Sequence, residues 1–174
     1  MELVEIDDRF IHKSVEWHKD PVIADCVGLW NKVSDNDLMA MFKSWITDSK
    51  TKIFGISKSG DPMGYAMIKN IDMVNGCGEL HITIGEKSAG GIVAYNAYKN
   101  IIKYAFNELG LNRVCTYCLD CRKDIIKIMD RKPYGFVKEG YLREAFNKNG
   151  QLIGIYIYGL LKNEFRGELL CQRQ

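Results

Sequence analysis

The residues most suited to bind an anion lie in the stretch IGEKSAGGIVAYNAYKNIIKYAF, residues 84–106. A strand pattern ends at Ile84, the pair Gly90–Gly91 follows, and a long helical pattern starts near Tyr95. The first N–H groups of a helix have no partner within the helix and, together with the helix dipole, they attract a phosphate. The stretch therefore predicts a phosphate-binding loop. The alternative is an ordinary turn, which would also favour a glycine pair.

The chain has six cysteines that could provide metal or redox chemistry: Cys26, Cys77, Cys115, Cys118, Cys121 and Cys171. The spacing C-x-x-C-x-x-C in CTYCLDC begins like an iron–sulfur or zinc site. However, RVCTYC is predicted as a strand, where residues three apart face opposite sides, so Cys115 and Cys118 could share an ion only if the strand ended between them. Without a signal peptide we expect reduced thiols, and a cysteine-ligated metal is the weaker alternative.

Length and composition favour one globular domain over residues 1–174, with 47% hydrophobic and 26% charged residues. A formal charge of +2 gives no electrostatic case for nucleic-acid binding. The N-terminus MELVEIDDRF has acidic residues where a signal peptide needs basic and then apolar ones, and no apolar segment approaches the length of a membrane span. We therefore expect a soluble cytoplasmic protein.

The elements that must position these residues begin with a strand, ELVEI, and two helices. The second helix has Ser34 as its N-cap and Asp37 three residues later. His12 and His18, on the first helix, have acidic neighbours, and we interpret them as surface residues. Three strands follow, KIFGIS, MGYAMIKNIDM and ELHITI, with a tight turn at Asn75–Gly76 between the last two.

The most regular pattern is the helix after the glycine pair, in which Ala97, Ile101 and Ala105 recur every four residues and Gly110 follows the end. A strand, a helix ended by Pro133, and the strands GFVKEGYLREAF and LIGIYIYGLL around the turn NKNG complete the chain. This order predicts an α/β domain with one mixed, mostly antiparallel central sheet flanked by helices.

The order and spacing of these stretches resemble the GNAT N-acetyltransferases, particularly the RimJ/RimL type. The resemblance rests on YAFNELGLNRV, GFVKEGYLREAF and IYIYGLL, with weaker matches in EWHKDPVI and SGDPMGYAMI, so it covers nearly the whole chain. It implies a single-domain GNAT-like fold, acetyl-CoA as the donor without a metal, and a primary amine as the acceptor. That amine would belong to a small molecule or to a protein N-terminus.

In GNAT enzymes the loop after the fourth strand carries Q/R-x-x-G-x-G/A, whose backbone amides wrap the pyrophosphate of CoA. Counted from Ile84, the motif has Ala89 at the Arg/Gln, Ile92 at the middle glycine and Ala94 at the last small position. Gly90 and Gly91 could supply the missing backbone freedom two positions earlier. The expected cofactor contacts are Ile82, Ile84, Ala89, Gly90, Gly91, Ile92, Val93, Ala94, Tyr95 and Arg122.

Two positions in RKDIIKIMDRKPYGF depart from the family pattern. Arg122 stands at the usual Asn; it could reach a CoA phosphate, or be a solvated arginine in the first turn of the helix. Met129 stands at a Tyr that commonly protonates the departing thiolate. Tyr134 could replace that acid, or it could simply pack its ring at a helix end.

The reaction that the resemblance implies needs an acceptor for the proton of the amine. Glu79 and His81 lie on the polar face of ELHITI, and either could take the proton directly or through water, since an imidazole titrates near neutrality. The alternative is that both belong to the solvated side of an antiparallel strand. The backbone N–H near Ile84 could stabilise the carbonyl oxygen if the strand splays there, as it does in the family.

Two functions from different classes remain open. The first is an acetyl-CoA-dependent N-acetyltransferase in which the amine attacks directly within a ternary complex. The second is a GNAT-fold domain that has lost catalysis and serves as a binding or regulatory module. The features that distinguish the two functions are the loop residues 89–94 and Met129. Of the two, we expect the N-acetyltransferase. A homodimer is compatible with either function.

Overall fold

The computed structural model describes residues 1–27 and 33–166. A seven-stranded sheet forms the centre of the molecule. Its strands are β1 (Glu2–Val4), β2 (Lys52–Lys58), β3 (Asp61–Asp72), β4 (Cys77–Ile84), β5 (Arg113–Leu119), β6 (Val137–Lys148) and β7 (Gln151–Leu161). The helices are α1 (Asp8–His18), α2 (Pro21–Val27), α3 (Asp35–Thr47), α4 (Gly90–Lys103) and α5 (Lys123–Met129). Of the cysteines expected to be reduced, Cys171 and the side chain of Cys26 lie outside the described residues.

The sheet has the order β1-β2-β3-β4-β5-β7-β6. All neighbouring strands are antiparallel except β4 and β5, which run parallel. The prediction of a mixed, mostly antiparallel sheet flanked by helices is therefore confirmed. In the part of the chain that the structure describes, no helix is long and apolar enough to cross a membrane.

Helices cover both faces of the sheet. On one face α4 buries apolar side chains against β3 and β4: Val93, Ala97 and Ile101 pack with Ala66, Ile68 and Leu80. On the opposite face the first three helices bury Ile11, Trp17, Ile23 and Phe42 against Tyr65 and Met67. Ser34 caps α3 as predicted, since its hydroxyl accepts the N–H of Asp37 at 3.2 Å.

The interpretation of His18 as a surface residue is wrong, because this side chain is buried between α1 and the sheet. Its Nδ1 lies 2.7 Å from the carbonyl oxygen of Ser14, which can only accept, so Nδ1 carries the proton. Its Nε2 then accepts the hydroxyl of Tyr65 at 3.1 Å. Burial lowers the pKa of His18, which keeps the ring neutral. His12 is exposed, as predicted.

Two boundaries differ from the prediction. The tight turn at Asn75–Gly76 is wrong: residues 73–76 form a longer loop, because the carboxylate of Asp72 accepts the N–H groups of Val74 and Asn75, both at 2.9 Å. The helix expected from Tyr95 begins at Gly90. Gly90 has φ 67° and ψ 175° and ends a preceding 3₁₀ turn, after which the chain continues directly as helix.

The hairpin of β6 and β7 is irregular and forms one edge of the sheet. Extra residues interrupt β6 between Lys138 and Gly140, and again between Leu142 and Phe146. The carboxylate of Asp120, just after β5, accepts the hydroxyl of Tyr141 at 2.7 Å and the N–H of Gly154 at 3.0 Å. These bonds tie the hairpin to the end of β5.

Candidate active site

The site is organised around a gap between β4 and β5. These strands pair over only three positions, from Cys77–Arg113 to Glu79–Cys115. At the next position the hydroxyl of Thr116 donates to the carbonyl of Leu80 at 3.0 Å, so a side chain takes over from the backbone ladder. Beyond this bond the strands separate. Because they are parallel, both end at the same edge of the sheet, where α4 and α5 begin, and this is where open sheets bind ligands.

The first turn of α4 offers free backbone donors at this edge. Among the residues that the structure describes, no side chain caps the turn, and the turn itself contains no acidic residue. Its N–H groups, those of Gly91, Ile92 and Val93, are therefore available to an anion. Gly90 and Gly91 are exposed, and a Cβ added to either would meet no atom within 4 Å. The turn is open and donor-rich, which suits a diphosphate.

The glycines supply backbone freedom at a different position from the family motif. The positive φ falls on Gly90, while Ile92 is helical and 77% exposed, so isoleucine at the middle position causes no strain. Ala89 and Val93 are buried in the core beneath the turn, and Ala94 is half-buried. Tyr95 lies in the second turn, past the free N–H groups.

The edge of β4 provides further backbone donors. The N–H groups of Gly85 and Glu86 both bond to the carbonyl of Met63 on the β3 side, whereas the carbonyl of Leu80 faces β5. Alternation along the strand therefore turns the N–H groups of Ile82 and Ile84 toward the gap, beyond the last paired residues. Their side chains pack against the core under α4.

Glu79 and His81 lie together on the face of β4 opposite α4. The Nε2 atom of His81 is 3.6 Å from Oε2 of Glu79, and the side chains are 38% and 24% exposed, respectively. The imidazole lowers the pKa of Glu79, which outweighs the opposite effect of burial and keeps the carboxylate ionised. Nε2 is buried and has no hydrogen-bond partner among the described residues. The pair is thus partly enclosed, rather than the freely solvated side of a strand.

Tyr117 is a neighbour of this pair that sequence reasoning missed. It lies on β5 and shares a face with Cys115, which stands opposite Glu79. Partial burial first, and then the Cys115 thiol and the Glu79 carboxylate, raise the pKa of Tyr117 to about 12. The phenol therefore stays neutral. Only the parallel register between β4 and β5 reveals its position, and that register is not visible in a local pattern.

A family model described as an acetyltransferase (GNAT) domain matches residues 11–156. The chain belongs to the GNAT acetyltransferase family. N-acetyltransferase p20 of Bacillus licheniformis, which is named as uncharacterized, is 29% identical over 75% of this chain and 74% of its own. YdaF of Bacillus subtilis (strain 168), named provisionally as a ribosomal N-acetyltransferase, is 32% identical over 66% of this chain and 61% of its own. The latter similarity agrees with the RimJ/RimL type.

Solved structures share the fold at low sequence identity. The spermidine N-acetyltransferase of Vibrio cholerae in complex with CoA and spermine superposes with a TM-score of 0.83, at 18% identity over 94% of this chain and 96% of that one. A GNAT-family structure from Chromobacterium violaceum ATCC 12472 gives 0.79, at 18% identity over 93% and 87%. The seven-stranded architecture is thus that of known GNAT proteins.

At the GNAT positions that differ in this chain, Tyr134 is a packing residue. Its ring is buried and stacks on Tyr95 and Tyr98, with centroids 4.9 and 6.1 Å away. Its hydroxyl donates to the carbonyl of Tyr95 at 2.6 Å. Burial raises its pKa, and the proton is already committed to this bond. Met129, at the position of the family's Tyr, is also buried. Of the two interpretations, packing at a helix end fits these contacts.

Arg122 lies at the start of α5 and is paired rather than solvated. Its Nε and Nη2 donate to the two carboxylate oxygens of Asp124 at 3.0 and 2.7 Å, and its side chain is 20% exposed. Arg122 is thus at the edge of the sheet where α4 also begins. A phosphate would have to compete with Asp124 for the guanidinium.

The cysteines of CTYCLDC do not converge. Cys115 is half-buried on one face of β5 and Cys118 is buried on the other, as the strand alternation predicted. Burial raises the pKa of both thiols, that of Cys118 to about 11. Within residues 1–27 and 33–166, no group of three or more His, Cys, Asp or Glu side chains is placed to hold a metal.

The two glycines of the first turn should respond to alanine in opposite directions. Gly90→Ala should destabilise the protein by about 1–3 kcal/mol, because its φ and ψ lie in a region open essentially to glycine alone. Gly91→Ala should stabilise by about 0.5–1 kcal/mol, since the site is helical and spacious. Urea unfolding of both variants measures the difference. Equal effects of the two changes would contradict this account of the turn.

Proposed function

We propose that the protein is an acetyl-CoA-dependent N-acetyltransferase in which an amine attacks the thioester directly within a ternary complex. The observation that carries the proposal is the early end of the β4–β5 ladder, after Glu79–Cys115. It opens a cleft with anion donors at the first turn of α4 and an ionised carboxylate beside an imidazole on the other face. Membership of the GNAT family supports this assignment.

Each side of the gap has a separate task in this proposal. The N–H groups of residues 91–93 bind the diphosphate of acetyl-CoA. The acetyl thioester of the same molecule supplies the carbonyl group that is attacked. The N–H groups of Ile82 and Ile84, turned toward the gap, are positioned to donate to the carbonyl oxygen as it gains charge. Glu79 attracts the cationic amine, and Nε2 of His81 accepts its proton, so that the neutral amine can attack.

Direct attack is preferred to a cysteine-bound intermediate. A nucleophilic cysteine must be present as thiolate, and burial raises the pKa values of the two thiols on β5, Cys115 and Cys118. Both remain protonated at neutral pH. Aminolysis within a ternary complex needs only aligned reactants, a proton acceptor and donors for the carbonyl oxygen.

The alternative, a non-catalytic GNAT-fold binding module, is favoured by one observation. The hydroxyl of Tyr134 is occupied by the Tyr95 carbonyl and Met129 cannot donate a proton, so neither is available to the leaving thiolate. The proposed reaction does not use Tyr134. A thiolate is a stable leaving group, since free thiols have a pKa of about 8.5. Water can protonate it after it leaves. The lost acid therefore lowers the rate without preventing transfer.

The acceptor is proposed to be an amine that is cationic in solution, because the ionised Glu79 would attract it. The Vibrio cholerae structure with a similar fold is a spermidine N-acetyltransferase in complex with CoA and spermine, which supports a small amine as the acceptor class. A protein N-terminal amine satisfies the same chemistry. The cytoplasmic location and the homodimer remain predictions.

Acetyl-CoA should stabilise the protein by mass action. At a concentration about 100 times its Kd, the gain is about 2.7 kcal/mol, measurable as a rise in Tm. Gly91→Glu should retain the fold, because an acidic residue suits a helix N-terminus, but it should abolish the rise by repelling the diphosphate. Gly91→Ala is the matched control and should keep the rise. No change in Tm of the parent protein at millimolar acetyl-CoA would refute the donor assignment.

Glu79 and His81 should affect different kinetic constants. His81→Gln should lower kcat at neutral pH by about 100-fold, because it removes the proton acceptor. Glu79→Gln should mainly raise the KM for a cationic amine, because it removes the ionised carboxylate that attracts the amine. Steady-state kinetics of both variants measures the difference. A parent-like kcat in His81→Gln would assign the proton transfer to another group.

Arg122 should contribute to CoA affinity if it reaches a phosphate. Arg122→Ala should then raise the Kd of CoA by about ten-fold, the loss of one charge-assisted hydrogen bond. Asp124→Asn should lower the Kd or leave it unchanged, because it releases the guanidinium from its present partner. Titration calorimetry with CoA and dephospho-CoA identifies the phosphate. Identical Kd values for Arg122→Ala and the parent would exclude Arg122 from the CoA site.

A further inference from the structure

The loop Gly85–Ala89, which joins β4 to the first turn of α4, is covered by α1. The indole of Trp17 lies directly over Gly85, so that a Cβ at this position would overlap the ring. Trp17 is itself buried, in the core cluster formed by the first three helices against the sheet. Gly85 is therefore required for close approach, and α1 and the loop form one packed unit.

A hydrogen bond between side chains fixes the same contact. The Nε1–H of Trp17 donates to Oε1 of Glu86 at 3.0 Å. The ammonium of Lys13, one turn earlier on α1, is 3.5 Å from the same oxygen. The backbone of Glu86 is held from the other side, because its N–H donates to the carbonyl of Met63 at 3.1 Å. Glu86 is thus fixed between α1 and β3.

The charge of Glu86 needs this arrangement. An unbalanced carboxylate four residues before the start of α4 would repel the diphosphate that the first turn of this helix is proposed to bind. The indole N–H and the Lys13 ammonium instead draw the carboxylate toward α1 and offset its charge. The position is therefore compatible with anion binding only while these partners are present.

A second link joins the same loop to the start of α2. Lys87 Nζ lies 2.8 Å from Oδ2 of Asp20, whose Oδ1 accepts the N–H of Val22. Lys87 is 80% exposed, and exposed ion pairs contribute little. The contact between Trp17 and Glu86, by contrast, is shielded from water on the indole side.

We propose that Trp17 and Glu86 are positioning residues for the cofactor: their hydrogen bond holds the Gly85–Ala89 loop, and hence the first turn of α4, where a diphosphate is bound. This rests on the proposed function. Neither residue touches the reacting atoms. Their contact links CoA affinity to the packing of α1, a helix on the opposite face of the sheet from α4.

The test compares variants that remove or keep this bond. Trp17→Phe should raise the Kd of CoA about five- to ten-fold, because it removes the hydrogen bond and leaves the Glu86 carboxylate less well offset. Glu86→Ala also removes the hydrogen bond, but it removes a negative charge as well, so its Kd should rise by less. Glu86→Gln should bind CoA as the parent does, because its amide oxygen still accepts the indole N–H. The double variant Trp17→Phe/Glu86→Ala should be no weaker than either single one, since both remove the same interaction.

Trp45→Phe is the matched control, because Trp45 packs on Phe42 in α3. It should change Tm without changing the Kd of CoA. Titration calorimetry gives the Kd, and steady-state kinetics should show a raised KM for acetyl-CoA with little change in kcat. A parent-like Kd in Trp17→Phe, or the same increase in Trp45→Phe, would overturn the positioning role while leaving the proposed function intact. A parent protein that does not bind CoA would overturn both.

Discussion

The rest of the structure depends on the short parallel ladder between β4 and β5. If the ladder continued to the ends of both strands, there would be no gap between β4 and β5, and the N-termini of α4 and α5 would not border a cleft. Three residue pairs are enough to hold the two halves of the sheet together, and the Thr116 hydroxyl satisfies the Leu80 carbonyl where the ladder stops. The separation therefore begins without leaving a buried carbonyl unpaired, which would cost about 1–3 kcal/mol.

The two faces of the sheet divide the chemistry between them. The face under α4 is apolar and rigid, and it fixes the helix whose first turn presents N–H groups. The opposite face has a carboxylate, an imidazole and a neutral phenol at the edge of the gap: Glu79, His81 and Tyr117. In the proposed function, an anion and a cation would be attracted to different sides of the same opening. The Trp17–Glu86 bond crosses from one side to the other.

Periodicity in the sequence was sufficient for the strands, for the helices α1, α3, α4 and α5 and for the Ser34 cap, because these depend on residues close together in the chain. The short helix α2 was not predicted. It placed Glu79 and His81 correctly on one face of β4 for the same reason. The start of α4 was missed because the positive φ of Gly90, not residue type alone, decides where the helix begins. Local patterns do not reveal the burial of His18 or the hydrogen bond of Tyr134, because their partners are 47 and 39 residues away in the chain. They do not reveal the position of Tyr117 either, because it depends on the register with the adjacent strand.

The outer strands of the sheet have a bearing on solubility. An edge strand exposes a row of backbone donors and acceptors that can recruit another chain, and long flat edges promote aggregation. Here β1 offers only three residues, and β6, although twelve residues long with exposed Val137, Tyr141 and Leu142, is interrupted by bulges at two places. A short strand and a bulged strand are both poor templates for an added strand. The bulges of β6 thus protect an apolar edge from uncontrolled self-association.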